Sequence, residues 1–339
     1  MKAAVVAATP AALPVEISHV PMPVPAPHWV VVQLRRAALN RLDVMLLQSP
    51  DALVPGAILG ADGAGVIAAV GSALAADSRF SIGDAVVISP SLFWGPDEAG
   101  PGKDYEILGS PTNGTHAEYV TVPAANVFPV PPHLTWSEAA ALPLAGLTAW
   151  RALASRGGLG SATKVLVGAA SSGVGSMAIQ MAVACGAEVI AVTSGDDKAK
   201  SALELGAHAV VDRSTDDFDR QLKYVAPGAD LALDPTGALW QPFVDVLRPG
   251  GRLVVVGKMA TATASLRVQS VYWNQVDIVG SSMGSLRDFE ALLDHVTHHG
   301  CAPVVDSEFE LDDIAAAYAR LDDPARVGKV VLVTEGGTR

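Results

Sequence analysis

The turn Gly168-Ala169-Ala170-Ser171-Ser172-Gly173-Val174-Gly175 is the stretch of this sequence best suited to chemistry. Its glycines let the backbone turn sharply and let a phosphate approach a helix N-terminus, where unpaired N–H groups and the helix dipole favour anions. The pattern carries weight only when a strand precedes it and a helix follows. Residues 164–167 (Lys-Val-Leu-Val) read as a short buried strand. Residues 176–185 are long and rich in small apolar residues, which predicts a helix closed by Gly186. A second strand is expected at 188–193. Strand, glycine turn, helix and strand in about 30 residues make the βαβ unit of a nucleotide-binding fold.

The rest of the chain must position that turn. At 339 residues it is long enough for two domains, and half of its residues are hydrophobic, which supports a large α/β core. The formal net charge is −12 and no basic run occurs, which argues against nucleic acid or an anionic membrane as partner. Cys185 and Cys301 are the only cysteines, too few for a disulfide framework or a cysteine zinc site, so a reducing cytoplasm is the expected location. The N-terminal apolar run is interrupted by Pro10, Pro14 and Glu16, unlike a secretion signal. The uncharged stretch 165–187 is long enough to span a bilayer, but its glycines and serines cluster in one turn, so it is not read as a transmembrane helix.

The first third reads as mostly β. Strands are expected at 1–7, 15–20, 29–38, 84–88 and 117–122, with a short helix at 40–48. Glycines at 60, 63, 65 and 71, with Gly56 just before, suggest tightly packed strands and turns. Residues 91–112, rich in Gly, Pro, Asp and Ser, read as a long loop or lobe. From Ser137 helix and strand alternate. Helices are expected at 196–205, 216–225 and 239–247, and strands at 208–212, 230–234, 252–257 and 277–280. With the two strands of the βαβ unit these complete a six-stranded parallel sheet. Helices at 287–298 and 311–321 follow, and a final strand at 330–334 is expected to return to the first domain.

Seven segments stand out along the chain: Ala38-Leu39-Asn40-Arg41-Leu42-Asp43, Leu59-Gly60-Ala61-Asp62-Gly63-Ala64-Gly65-Val66, Gly114-Thr115-His116-Ala117-Glu118-Tyr119-Val120, Leu142-Pro143-Leu144-Ala145-Gly146-Leu147-Thr148-Ala149-Trp150, the glycine turn, Leu247-Arg248-Pro249-Gly250-Gly251-Arg252 and Gly328-Lys329-Val330-Val331. In this order they resemble the medium-chain dehydrogenase/reductase superfamily, in particular its zinc-free quinone oxidoreductase-like branch. The resemblance implies an α/β protein with a GroES-like, mostly-β catalytic domain (1–125 and 286–339). Into it is inserted a doubly wound Rossmann domain (126–285), with a site in the cleft between the two. It further implies a homodimer, or a tetramer of such dimers, paired through the last Rossmann strand.

The departures from the family pattern bear on chemistry. Zinc-dependent relatives place a cysteine where this chain has Asn40, a His-Glu pair where it has Ala61-Asp62, and a third ligand where it has Ala145. Alanine cannot ligate, and Asn with one Asp is a poor zinc set, so no metal is expected. The segment that carries four structural-zinc cysteines in relatives falls on 89–105 and contains none.

The expected cofactor is NADPH, held by Ser172, Gly173, Val174 and Gly175 at the phosphates. By resemblance, Thr193, Ser194, Lys198 and Arg213 hold the 2′-phosphate, with Gly257, Ser282 and Lys329 completing the set. The alternative is that Lys198 and Arg213 are ordinary surface charges and that Asp196 either reads the ribose diol of NADH or caps the following helix.

Hydride transfer to a carbonyl or a conjugated C=C builds negative charge on oxygen, which without zinc falls to hydrogen-bond or proton donors. Asn40, Asp43, Asp62 and Thr148 are the catalytic candidates, with Trp94, His116, Tyr272, Trp273 and Asn274 also considered. Asn40 and Asp62 read equally as hydrogen-bonded pocket residues, His116 as packing, and Tyr272-Trp273 as core or subunit interface. The expected activity is NADPH-dependent reduction of a quinone, enone or other α,β-unsaturated carbonyl. The alternatives are a metal-free alcohol/aldehyde dehydrogenase-like enzyme and a nucleotide-binding protein with little turnover.

Overall fold

The structure, a computed structural model, describes every residue except Pro10, Ala12, 50–53, 75–78 and 335–339. Pro10, read above as interrupting the N-terminal apolar run, therefore lies outside the described residues. The chain divides into two compact units. One comprises Met1–Leu144, Ser285–Phe289 and Ala302–Arg339, the other Ala145–Gly284 and Glu290–Cys301.

In chain order the first unit opens with β1 (Lys2–Val6) and β2 (Val15–His19), an antiparallel pair. Then come β3 (Trp29–Ala38), α1 (Arg41–Leu47), β4 (Asp62–Val70) and β5 (Ala85–Ile88). The two-residue strands β6 (Ser91–Leu92) and β7 (Glu106–Ile107) pair within the lobe expected at 91–112. β8 (Tyr119–Pro123), β9 (Val127–Pro129) and α2 (Trp136–Ala141) follow, then α3 (Pro143–Trp150), whose first two residues belong to this unit.

The second unit carries a π-helical segment (Arg151–Arg156), β10 (Lys164–Val167), α4 (Gly173–Ala184), β11 (Glu188–Thr193), α5 (Asp196–Glu204) and β12 (Ala209–Asp212). It continues through α6 (Phe218–Val225), β13 (Ala229–Asp234), α7 (Trp240–Val244), β14 (Leu247–Val255), α8 (Val268–Trp273) and β15 (Asp277–Gly280). After α9 (Leu286–His299), the chain adds β16 (Val305–Glu310), α10 (Ile314–Asp322) and β17 (Lys329–Val333) to the first unit.

The first unit is built on a sheet ordered β16-β17-β3-β4-β5-β9, with β8 also pairing with β3. β17 runs antiparallel to β3, so the last strand returns to the first sheet. Glycine is required where β3 and β4 cross closely: a Cβ on Gly65 would lie 2.0 Å from the Gln33 carbonyl oxygen. The core of this sheet holds Val30, Val32, Leu34, Ile67, Ile88, Leu92 and Val122. A second cluster, with Leu39, Leu311, Ile314, Tyr318, Val330 and Leu332, seats α10 against β17.

The second unit is a six-stranded sheet in the order β12-β11-β10-β13-β14-β15, every pair parallel. The chain steps outward from β10 to β12, then returns to β13 and steps outward the other way. This doubly wound order makes the carboxyl ends of β10 and β13 the switch point where such sheets bind ligands. Fully buried Val and Leu runs, such as Val165-Leu166-Val167, follow from burial of both sheet faces. The α/β fold is thus a GroES-like, mostly-β unit together with a Rossmann-type unit.

The structure differs from the expected elements in several places. The unit division keeps α2 with the first unit, whereas the boundary was expected at 125/126. α7 ends at Val244 rather than 247, because Leu247 already opens β14. The Pro249-Gly250-Gly251 turn sits inside that strand as an irregularity, Gly250 taking a positive φ of 73° and donating its N–H to the Asn274 carbonyl. The N-cap of α5 is Gly195, with a φ of 82°, not Asp196, which lies in the first turn. α2 was not anticipated, although Thr135-Trp136-Ser137-Glu138 spells a capping box. In the structure Thr135 Oγ1 accepts the Glu138 N–H and Glu138 Oε2 accepts the Thr135 N–H.

Candidate functional site

The glycine turn of the second unit is held open by the strands beneath it. Gly168 N–H donates to Leu233 O at 2.9 Å and Ala170 N–H to Val192 O at 3.1 Å, fixing the turn across the carboxyl ends of β13 and β11. Ser172 is the N-cap of α4, its hydroxyl accepting the Gly175 N–H at 3.0 Å. Gly173 and Val174 occupy the first two helical positions, whose N–H groups have no intrahelical acceptor. A Cβ on Gly175 would lie 2.3 Å from the Ala169 carbonyl oxygen, so the turn cannot carry a larger residue there. Capped at one N–H and open at two, at a twelve-residue helix, this turn fits a pyrophosphate.

At the end of β11, Thr193 is buried and its hydroxyl lies 3.4 Å from that of Ser171, a residue the sequence reading left out of the cofactor set. Ser194 and Lys198 are half-buried and Arg213 is exposed, its backbone N–H on Thr193 O. Asp212 was not anticipated. Its carboxylate accepts the Gly195 N–H at 3.0 Å and the Ser214 N–H and hydroxyl at 2.8 and 2.6 Å. Those Ser214 bonds, then the one from Gly195, hold its pKa below the ordinary carboxylate range. A fixed anion therefore sits beside Arg213. Gly257 closely approaches the Pro235 carbonyl, 2.6 Å from a built Cβ, while Ser282 is exposed and Ser281 extends β15 by donating to Val255 O. Asp234, also missed, accepts N–H bonds from Thr236 at 2.7 Å and Leu239 at 3.1 Å and so shapes the turn after β13.

Three of the four catalytic candidates meet in the first unit, and they meet on Lys329. Its Nζ lies 2.8 Å from Leu39 O, 2.5 Å from Asn40 Oδ1 and 2.8 Å from Asp62 Oδ2, using all three ammonium protons. Asn40 Nδ2 donates to Asp62 Oδ2 at 2.9 Å and reaches Ala38 O only at 3.5 Å. The other Asp62 oxygen accepts the Leu144 N–H at 2.7 Å, satisfying one orphan donor at the start of α3. Asp62 is 0 % exposed, Lys329 4 % and Asn40 6 %. Lys329, expected among the cofactor contacts, thus has its ammonium committed inside this cluster. The donor set does not suit zinc: one carboxylate and one amide face an ammonium, with alanines at 61 and 145. Among the described residues no group of three or more His, Cys, Asp or Glu could hold a metal ion.

Asp43 caps α1, its carboxylate accepting the Asn40 N–H at 2.7 Å. Burial pushes its carboxyl up to about 7. His116 Nε2 lies 3.9 Å from Asp43 Oδ2, but burial, helped by the Lys329 charge, lowers the imidazole to about 3. The two face each other as a neutral imidazole and a carboxyl, not as an ion pair. The His116 ring packs edge-on to Tyr318 at 6.1 Å, and among the described residues neither His116 Nε2 nor the Tyr318 hydroxyl has a hydrogen-bond partner.

The remaining candidates take other partners. Thr148 belongs to the second unit, buried, its hydroxyl 3.9 Å from Met283 Sδ. Trp94 is buried in the lobe with its indole N–H on Asp97 O. Tyr272 and Trp273 are 61 % and 73 % exposed, which rules out the core for both. Asn274 supplies the carbonyl for Gly250.

Residues 26–132 match the model of the alcohol dehydrogenase GroES-like domain, and residues 173–298 that of the zinc-binding dehydrogenase domain. A zinc-type alcohol dehydrogenase-like protein, YogA, from Leptosphaeria maculans is 30 % identical over 335 residues, covering 93 % of this chain and 92 % of the relative. The chain belongs to the medium-chain dehydrogenase/reductase superfamily. Acryloyl-coenzyme A reductase from Sulfurisphaera tokodaii is 29 % identical, covering 94 % of this chain and 96 % of its own. Human quinone oxidoreductase is 26 % identical, covering 93 % and 92 %. Among solved structures, an NAD-dependent alcohol dehydrogenase superposes with a TM-score of 0.92 at 36 % identity, over 99 % of this chain and 100 % of that one. The 2-octenoyl-CoA carboxylase reductase CinF, in complex with NADP and 2-octenoyl-CoA, gives a TM-score of 0.86 at 27 % identity over 96 % and 83 %. As a member of this superfamily the chain is an oxidoreductase with quinone and enoyl-CoA reductases among its relatives.

Proposed function

We propose that this superfamily member is a zinc-independent, NADPH-dependent reductase of quinones, enones or related α,β-unsaturated carbonyls. The observation that carries the reading is the Asn40–Asp62–Lys329 cluster, which offers hydrogen-bond donors and a fixed ammonium but no ligand set for zinc. NADPH supplies the hydride when bound, with Ser172 to Gly175 at its pyrophosphate and Thr193, Ser194, Lys198 and Arg213 at its 2′-phosphate. A conjugated acceptor takes hydride at carbon and spreads the resulting charge, so it needs less stabilisation at oxygen than an isolated carbonyl. The second Asn40 N–H holds Ala38 O only weakly, at 3.5 Å, and is the donor that would exchange this bond for one to such an oxygen. The relatives named acryloyl-coenzyme A reductase and quinone oxidoreductase, and the NADP complex of CinF, support the same class.

One observation favours NADH instead. The Asp212 carboxylate beside Arg213 would repel a 2′-phosphate and occupies the Gly195 N–H, and an NAD-dependent alcohol dehydrogenase is among the similar structures. Initial rates of NADPH and NADH oxidation with a panel of quinones, enones and simple aldehydes separate the readings. Turnover of the conjugated acceptors, faster with NADPH, is expected. Turnover of aldehydes alone points to the dehydrogenase, and NADPH binding without any acceptor points to a binding protein.

The same reading includes a homodimer, or a tetramer of dimers, in a reducing cytoplasm, with no nucleic acid or membrane partner. β15 is an edge strand with Asp277, Ile278 and Gly280 exposed, and Val268, Tyr272 and Trp273 add exposed apolar surface to the same unit. Among the described residues no helix is long and apolar enough to cross a membrane. Light scattering at micromolar concentration should give at least twice the chain mass of 34.8 kDa.

A further inference from the structure

Asn40 sits between two opposite charges, and its amide can lie only one way. With Oδ1 on the Lys329 ammonium and Nδ2 on the Asp62 carboxylate both contacts are attractive. Flipped, the NH2 group would face the ammonium and the oxygen the carboxylate, and both contacts would be repulsive in a site with almost no water access. The ammonium also reaches from β17 to the Leu39 carbonyl, at the end of β3, and the carboxylate to the Leu144 N–H. One cation thus ties together four segments of the first unit: 39–40, 62, 144 and 329.

We infer that Lys329 is the resident cation of this site, an ammonium built into the chain that does there what a bound metal would otherwise do. It neutralises Asp62, fixes the Asn40 amide as a donor toward the acceptor side, and leaves no room for a divalent ion. Zinc would need to displace a charge that cannot leave, and would meet only one carboxylate and neutral amide and carbonyl oxygens. Because all three of its protons are spent, the lysine does not itself meet an acceptor oxygen. It is a positioning residue that acts through Asn40. The inference rests on the proposed function only for the statement that Asn40 faces the acceptor.

Lys329→Ala, Lys329→Met, Asp62→Asn and the double variant Lys329→Met/Asp62→Asn test this, by unfolding temperature and metal content. Breaking a buried ion pair from one side should lower the unfolding temperature of each single variant by about 10 °C. The double variant, with no charge left unpaired, should melt above both singles. n-Propylammonium chloride, which supplies the missing carbons and nitrogen, should restore most of the loss in Lys329→Ala but not in Lys329→Met, where the side chain fills the space. Equal potassium chloride should restore neither. Wild-type protein incubated with zinc and dialysed should retain far less than one zinc per chain. Where turnover is present, n-propylammonium should raise kcat of Lys329→Ala with little change in the KM for NADPH.

Stoichiometric zinc in the wild type overturns the inference, as does a double variant whose loss is the sum of the singles. Absence of rescue by the amine in a folded Lys329→Ala does the same. If Lys329→Ala does not fold, the double variant and the wild-type metal content decide. None of these stability or metal readouts needs an active enzyme, so failure to reduce quinones would leave the inference standing while removing the proposed activity.

Discussion

The glycine turn of the second unit and the Asn40–Asp62–Lys329 cluster of the first are built on opposite principles. The turn is made of backbone: Ser172 takes one N–H, the neighbouring strands take two more, and the N–H groups of Gly173 and Val174 are left for a ligand. The cluster is made of side chains that satisfy one another, with every ammonium proton and both Asp62 oxygens engaged. An open backbone site is suited to a charged partner from outside, whereas a closed charged network holds a geometry. The oxidoreductase reading needs both, one to hold the nucleotide and one to present a donor without a metal.

The largest expected effect breaks this comparison from the closed side. Asp62→Ala leaves the Lys329 ammonium buried without its carboxylate and strips a cap from α3, which should cost about 3–5 kcal/mol of stability. Isothermal titration should show NADPH affinity nearly unchanged, since the turn belongs to the other unit. A parallel fall in cofactor affinity would mean that the two regions do not act independently.

A smaller effect comes from the open side. If Lys198 and Arg213 hold a 2′-phosphate, Lys198→Ala and Arg213→Ala should each lose a charge-assisted bond worth about 1.5–3 kcal/mol. That is roughly a tenfold to hundredfold loss in NADPH affinity with little change for NADH, and the loss should fade at high salt. Asp212→Asn should shift the preference the other way, toward NADPH. Equal losses for both cofactors would leave Lys198 and Arg213 as surface charges.

The smallest effect is a slope. Asp43 in the folded chain has its pKa raised from 3.8 to about 7, so it contributes stability that is full below 3.8 and lost as pH rises through 7. His116 is lowered from 6.5 to about 3, so its contribution is present above 6.5 and lost as pH falls through 3. Between pH 4 and 6 the two oppose each other and largely cancel. His116→Gln removes the second alone, so its stability relative to wild type should improve by about 1.4 kcal/mol for each pH unit downward in that window. Chemical denaturation at pH 4, 5 and 6 checks it, and a flat difference would contradict the buried neutral imidazole.

The difference between the two regions also sets what could be read in the sequence. The turn and its flanking strands are contiguous, so a short stretch around 164–193 shows strand, glycines and helix together, and the six-stranded parallel sheet follows from the alternation after it. The cluster joins residues 39, 40, 62, 144 and 329. Asn40 and Asp62 could be singled out only as departures from a family pattern, and Lys329 was read as a cofactor contact because nothing near it in sequence shows its partners. Asp212 was missed for a related reason: an aspartate ending a strand is ordinary until Gly195, seventeen residues earlier, is seen to donate to it. α2 could have been read, since its capping box is local. Tyr272 and Trp273 could not, because apolar composition does not tell a core residue from an exposed one next to an edge strand.

The account stands or falls on hydride transfer without zinc. Protein dialysed against a strong chelator, with its metal content measured on the same sample, should oxidise NADPH in the presence of an enone or quinone at the rate of the untreated enzyme. Added zinc should leave that rate unchanged. Activity that disappears with the chelator and returns with one zinc per chain would contradict the account.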